Sequence, residues 1–195
     1  MIRTGIFGGS FNPIHNGHVQ LACHLLDQAG LDEIWFMVSP QNPLKQQASL
    51  LDEHLRLELV RLALEETPRL VASDYEFHLP RPSYTWNTLQ HLSADYPDRT
   101  FTLLIGEDNL RCFHQWAHAD EILSTYDIVV YPRGHEQHID PSSLPQRVRM
   151  VQTPLYDISS TEVRRRIQNG EPWSQLVPKA VYEKLKELTF LLHKQ

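Results

Sequence analysis

Thr4-Gly5-Ile6-Phe7-Gly8-Gly9-Ser10-Phe11-Asn12-Pro13-Ile14-His15-Asn16-Gly17-His18 is the stretch on which the fold turns. Thr4 to Gly8 is a short apolar run that reads as a strand. Turn residues follow, and then Val19, Ala22, Leu25, Leu26 and Ala29 recur at helical spacing, with Gly30 placed as a C-cap. A strand that runs through a glycine turn into a helix is the opening of a βαβ unit.

The rest of the chain repeats the alternation. Strands are expected at Glu33–Ser39, Leu70–Ser73, Thr100–Ile105, Asp127–Tyr131 and, more weakly patterned, Val148–Gln152. Helices are expected over Asp52–Glu66, Thr85–Ala94, Phe113–Tyr126, Thr161–Gln168 and Pro178–Leu191, with Pro178 at a first helical position. The continuous apolar strands suit a sheet covered on both faces. The expectation is a doubly wound, mostly parallel α/β sheet with helices on both faces. It is a single domain over residues 1–195, with the C-terminal helices from about residue 160 packed on it. Gln41 to Leu50 and Pro132 to Pro145 read as surface loops.

Composition sets bounds. The 195 residues are 41% hydrophobic and 22% charged, which excludes a disordered or fibrous chain. The formal net charge of −6 argues against a general affinity for nucleic acid. No apolar run is long enough to span a membrane, and the N-terminus has no signal-peptide core. Cys23 and Cys112, far apart, read as reduced thiols packed in the core of a cytoplasmic protein. The histidines, 11 in all, mostly stand singly without ligand spacing, so no protein metal site is expected.

In a doubly wound sheet, ligands bind at the carboxyl ends of the strands. Gly8 and Gly9 allow close backbone approach there, and His15 and His18 stand beside a helix N-terminus that favours an anion. A phosphate suits this turn. It lacks the P-loop and dinucleotide-binding glycine patterns. A capped tight turn and a metal pair are the competing readings.

Ile158-Ser159-Ser160-Thr161-Glu162-Val163-Arg164-Arg165-Arg166 is the second landmark. Ser159 with Glu162 fits a capping box. Three arginines in the first turns oppose the helix dipole, and a bound anion would remove the conflict.

Gly8 to His18 resembles the GxFxPxHxGH signature of the nucleotidyltransferase superfamily, and Ile158 to Arg164 resembles its ISSTxxR motif. The resemblance implies ATP contacts at Gly8, Gly9, Ser10, Phe11, His15, His18, Ser159, Thr161 and Arg164. Arg165 and Arg166 would then face solvent. Further stretches resemble the nicotinate mononucleotide adenylyltransferases. Ser83-Tyr84-Thr85-Trp86-Asn87-Thr88-Leu89 is similar to SYTxxTL, and Ile105-Gly106-Glu107-Asp108-Asn109-Leu110 to IGxDxL. Asn42-Pro43-Leu44-Lys45 stands where relatives often carry PPHK, with Leu44 in the histidine's place.

That resemblance implies an acceptor site built from Asn42, Lys45, Tyr84, Thr85 and Trp116, with Trp116 stacked on a pyridine ring; packing in the core is the competing reading for Trp116. Gly106, Asp108 and Arg133 would join the ATP site. The implied reaction is adenylyl transfer from Mg²⁺-ATP to nicotinate mononucleotide, with His15, His18, Lys45 and Arg164 stabilising the phosphates. A phosphopantetheine adenylyltransferase, a cytidylyltransferase for a small phosphorylated substrate and a non-catalytic nucleotide sensor are the alternatives. Oligomeric state and the choice between nicotinate and nicotinamide mononucleotides are not legible in the sequence.

Overall fold

Alternate residues of the apolar runs enter different cores, which is why they fold as strands buried on both faces. The computed structural model describes residues 1–40, 50–134 and 139–192. The strands are β1 (Ile2–Gly9), β2 (Glu33–Val38), β3 (Leu70–Ser73), β4 (Arg99–Gly106), β5 (Asp127–Tyr131) and β6 (Val148–Met150). They form one sheet in the order β3-β2-β1-β4-β5-β6, parallel throughout. The chain order reverses between β1 and β4, so the switch point lies beside the glycine turn.

The helices are α1 (Asn16–Gln28), α2 (Glu53–Leu64), α3 (Thr85–Asp95), α4 (Glu107–Arg111), α5 (Ala119–Thr125), α6 (Ser160–Asn169) and α7 (Lys179–Leu192). On one face, Phe7, Ile34, Phe36, Leu104 and Val129 meet Leu25 of α1, Val60 of α2, Val163 of α6 and Val181 of α7. On the other, Ile6, Trp35, Met37, Leu103 and Ile128 meet Leu89 and Leu92 of α3 and Ile122 of α5. None of the helices among the described residues is long and apolar enough to cross a membrane.

Local chemistry sets the helix ends. Gly30, at φ 64°, ends α1 in the left-handed region, and the N–H groups of Gly30 and Leu31 bond the carbonyls of Asp27 and Leu26. Asp52 caps α2 by accepting from the N–H groups of His54 and Leu55.

Three expectations are corrected. The single helix over Phe113–Tyr126 is a 3₁₀ turn at Phe113–Gln115 followed by α5, and α4 precedes them. His118 breaks the helix by adopting φ 60°, with its ring stacked on Trp86 and Nδ1 3.0 Å from Glu121. Pro178 lies just before α7, its carbonyl accepting the first helical bond from Tyr182 at 2.9 Å. Neither cysteine packs in the core: Cys23 is exposed on α1 and Cys112 is half-buried.

Phe36 is fully buried and lies edge-on to Phe7, with ring centroids 5.1 Å apart. Phe36→Ala is expected to remove about 3–5 kcal/mol of stability. A urea melt whose midpoint stayed within error of the parent would contradict this packing.

Candidate active site

The turn after β1 is held from below by a charge. Arg56 of α2 is 1% exposed and spends its guanidinium on backbone carbonyls. Nη1 donates to Ser10 at 2.7 Å and to Ser39 at 2.8 Å, Nη2 to Pro40 at 3.2 Å and Nε to Leu51 at 3.0 Å. Carbonyls at the ends of β1 and β2 that no strand or helix bonds therefore find donors. The sequence reading missed Arg56, because within a helical pattern it passes for a solvated surface residue.

The turn itself is tight. Phe11 adopts φ 44°, a conformation that costs a non-glycine residue energy and persists only where the surroundings over-determine it. Here its ring is clamped between Phe36, His18 and Phe7, with centroids 5.3, 5.2 and 5.9 Å away. Gly9 is required beneath it, since a Cβ there would lie 2.9 Å from the Phe11 ring.

Above the carboxyl ends of the strands opens a cleft of about 1530 Å³. One half is lined by Gly8, Gly9, Ser10, Phe11, His15, His18, Asp108, Arg133, Ser159 and Thr161. The other half is lined by Tyr84, Thr85 and Trp116. The structure thus brings together most of the residues singled out in the sequence. Gly106 ends β4 and precedes α4, just beneath Asp108. Asn42 and Lys45 lie outside the described residues.

His15 is the N-cap of α1 and His18 lies in its first turn. Their rings stack with centroids 3.6 Å apart. His18 Nδ1 accepts from the His15 backbone N–H at 3.3 Å, which assigns the ring proton of neutral His18 to Nε2. His15 is 5% exposed; burial holds its pKa down to about 4, and the positive charge of Arg133 pushes the same way. His15 therefore acts as a neutral imidazole near pH 7.

The start of α6 closes the first half. Ser159 accepts from the Glu162 N–H at 3.1 Å, one half of the expected capping box. The Glu162 side chain does not complete it, because its oxygens bind Arg165 and Arg166. Arg165 also pairs with Glu171 at 2.6 Å. The conflict between these two arginines and the helix dipole is thus relieved by carboxylates of the chain itself. Arg166 lines the cleft rather than facing open solvent.

Arg164 is placed on the glycine turn: Nη1 donates to the Asn12 carbonyl at 2.6 Å and Nη2 to Thr161 Oγ1 at 3.3 Å. Ser160 Oγ donates to the Pro13 carbonyl at 2.9 Å. These bonds bind the N-termini of α1 and α6 into one anion-attracting wall. Arg133 faces that wall from the end of β5, 3.5 Å from Asp108 and bonded to the Tyr131 hydroxyl at 3.3 Å.

In the other half, α3 begins at Thr85 with Tyr84 as its N-cap, whose side chain makes no capping hydrogen bond. Trp116 is half-buried on Phe113, with centroids 4.8 Å apart, and still lines the cleft. It packs and presents a face at once.

This geometry has counterparts in known proteins. Residues 6–166 match the model of the cytidylyltransferase-like family. A Bacteroides fragilis protein named as a probable nicotinate-nucleotide adenylyltransferase is 48% identical over 187 residues, covering 96% of this chain and 92% of that one. One from Flavobacterium psychrophilum, named likewise, is 41% identical over 97% of this chain and 98% of its own length.

The chain belongs to the nicotinate-nucleotide adenylyltransferase family.

The fold agrees with that membership. The solved structure of the Plasmodium falciparum nicotinic acid mononucleotide adenylyltransferase complexed with NaAD superposes with a TM-score of 0.80 over 96% of both chains, at 20% identity. Within this family frame, the stacked histidines make a definite electrostatic statement about His15. Because its folded pKa lies below the ordinary 6.5, the unfolded chain binds more protons between pH 6.5 and about 4. Stability is therefore expected to fall as pH drops through that window, by up to about 3 kcal/mol from this one group. In an NMR titration the His15 ring should change state near pH 4; a midpoint near 6.5 would contradict its burial.

Proposed function

We propose that this chain transfers the adenylyl group of ATP to nicotinate mononucleotide, giving nicotinate adenine dinucleotide and pyrophosphate, as the names of its relatives indicate. The observation that carries the reading is the stacked His15–His18 pair at the α1 N-terminus, roofed by the start of α6, in one cleft with an acceptor half built on Thr85 and Trp116. One half suits a triphosphate and the other a planar ring with a carboxylate.

In the reaction, a 5′-phosphate oxygen of the mononucleotide attacks the α-phosphorus of ATP. The bond from that phosphorus to the bridging oxygen breaks, and pyrophosphate leaves with the electron pair. The chain's residues need form no covalent bond; they position the reactants and meet the developing charge. His18 Nε2–H donates to an α-phosphate oxygen, a role its tautomer prepares. Neutral His15 stays beneath it as a stacked partner that adds no competing charge. Free N–H groups of the two helix starts, with Ser159, Thr161 and Arg133, hold the leaving phosphates. Arg164 acts through the turn it braces, and Lys45 is assigned to the same phosphates by its place in the sequence.

Mg²⁺ enters on ATP. No group of three or more His, Cys, Asp or Glu among the described residues could hold a metal ion, and Asp108 at the cleft is paired with Arg133. We assign the ion to the substrate, which carries it in on its phosphates. The acceptor's carboxylate falls to the N–H groups at the start of α3, and its ring to the face of Trp116.

The decisive assay is pyrophosphate release from Mg-ATP or Mg-CTP with nicotinate mononucleotide, nicotinamide mononucleotide or phosphopantetheine as acceptor. Release is expected with ATP and nicotinate mononucleotide far above every other pair. Preference for CTP or phosphopantetheine would replace the reading, and nucleotide binding without turnover would point to a sensor. His18→Ala should lower turnover on the order of 10²-fold with the fold intact; an unchanged rate would remove His18 from the chemistry.

A further inference from the structure

In the wall of the acceptor half stands a carboxylate that the chemistry above leaves unused. Glu76 sits in the 3₁₀ turn Tyr75–His78 after β3 and is 8% exposed. Among the described residues it forms no ion pair. Its oxygens are taken by hydroxyls: Oε2 accepts from Ser83 Oγ at 3.1 Å and Oε1 from Thr88 Oγ1 at 2.9 Å. The Ser39 hydroxyl faces the same carboxylate and lowers its pKa. Ser83 is 8% exposed and Thr88 1%.

A buried carboxylate without a cation is costly unless its lone pairs are met. Burial pushes the Glu76 carboxyl above its ordinary value, and the hydroxyls of Thr88, Ser83 and Ser39 pull it back. The three hydroxyls come from three places: just past the end of β2, the residue before the N-cap of α3, and the first turn of α3. One carboxylate therefore fixes where the chain between His78 and Tyr84 must pass and where α3 begins. At that beginning the N-cap side chain makes no capping hydrogen bond, while Tyr84, Thr85 and Thr88 line the cleft.

We propose that Glu76 is a positioning residue for acceptor specificity. By binding the hydroxyls of Ser83 and Thr88, with that of Ser39 beside them, it holds the start of α3 so that its free N–H groups face the carboxylate of the acceptor. It does not touch the acceptor, since two like charges in contact would repel. The proposal rests on the acceptor assignment above, and the donor half is braced separately by Arg56.

Glu76→Gln keeps the shape and replaces one acceptor oxygen with a donor, so one hydroxyl must turn away. For Thr88 that competes with its bond to the Tyr84 carbonyl at 3.3 Å. In Glu76→Gln the KM for nicotinate mononucleotide is expected to rise about tenfold, as the loss of roughly one hydrogen bond implies. The KM for ATP should stay within about twofold of the parent. Thr88→Val should shift KM in the same direction, and Thr88→Ser, which keeps the hydroxyl, should restore it.

Hydrogen–deuterium exchange without substrate gives the second readout. The first-turn amides of α3 should exchange faster in Glu76→Gln and Thr88→Val, with those of β1 and α1 unchanged. If Glu76→Gln does not fold, the Thr88 pair carries both readouts. If the parent releases no pyrophosphate with nicotinate mononucleotide, the functional reading fails and exchange alone decides the positioning role. Unchanged exchange at α3, a joint rise of both KM values, or a Thr88→Ser variant as impaired as Thr88→Val would overturn the proposal.

Discussion

Arg56 imposes the constraint on which the cleft depends. A parallel sheet ends with carbonyl groups pointing out of its carboxyl edge, and at the switch point no further strand or helix turn takes them up. Ser10 and Ser39 are two such residues, on neighbouring strand ends. A guanidinium carries five donors in a fixed plane, so one side chain reaches four carbonyls at once. A lysine, with a single nitrogen, could not span the spread from Leu51 to Ser10. Burying that charge is costly in itself. Its retention under the glycine turn ties the stability of the molecule to the geometry of the wall above it.

That wall resolves an apparent contradiction between a chain of formal charge −6 and a polyanionic substrate. The field in the cleft comes from the ends of α1 and α6 and from Arg133, all within a small volume, while much of the acidic excess is spent elsewhere. Glu162 and Glu171 neutralise Arg165. Asp32 binds Arg3, and the Arg3 guanidinium holds that carboxyl far below the usual range. Glu33 pairs with Arg99 at the opposite end of the sheet. A local donor array decides binding here, not the sum of charges.

What was legible in the sequence follows the same division. The sheet was readable because burial on both faces writes uninterrupted apolar runs, and glycine turns punctuate them. The place of the histidine pair at the start of α1 and the Ser159 cap of α6 were readable because both are set within a few residues of where they stand. The break at His118 was not, since Gln115-Trp116-Ala117-His118 contains no glycine or proline and its left-handed residue is held by Trp86, distant in sequence. Arg56 and Glu76 were missed for the same reason. Each looks like an ordinary polar position in its own segment, and only the return of other segments buries it. Arg164 stands in the motif legible in the sequence, but the structure shows it gripping the turn, an action no local pattern specifies.

The two halves of the cleft meet at one residue. The Ser39 N–H donates to the Gly9 carbonyl at 2.9 Å, its carbonyl accepts Arg56, and its hydroxyl reaches Glu76. On one side of it a buried cation organises carbonyls; on the other a buried anion organises hydroxyls. Direct pairing of Arg56 with Glu76 would have satisfied both charges and left the strand ends unbraced. Keeping them apart, each met by neutral dipoles, fixes two turns instead of one. Both braces act at the carboxyl edge of one sheet, so the walls of the cleft are held in the common frame that an in-line transfer needs.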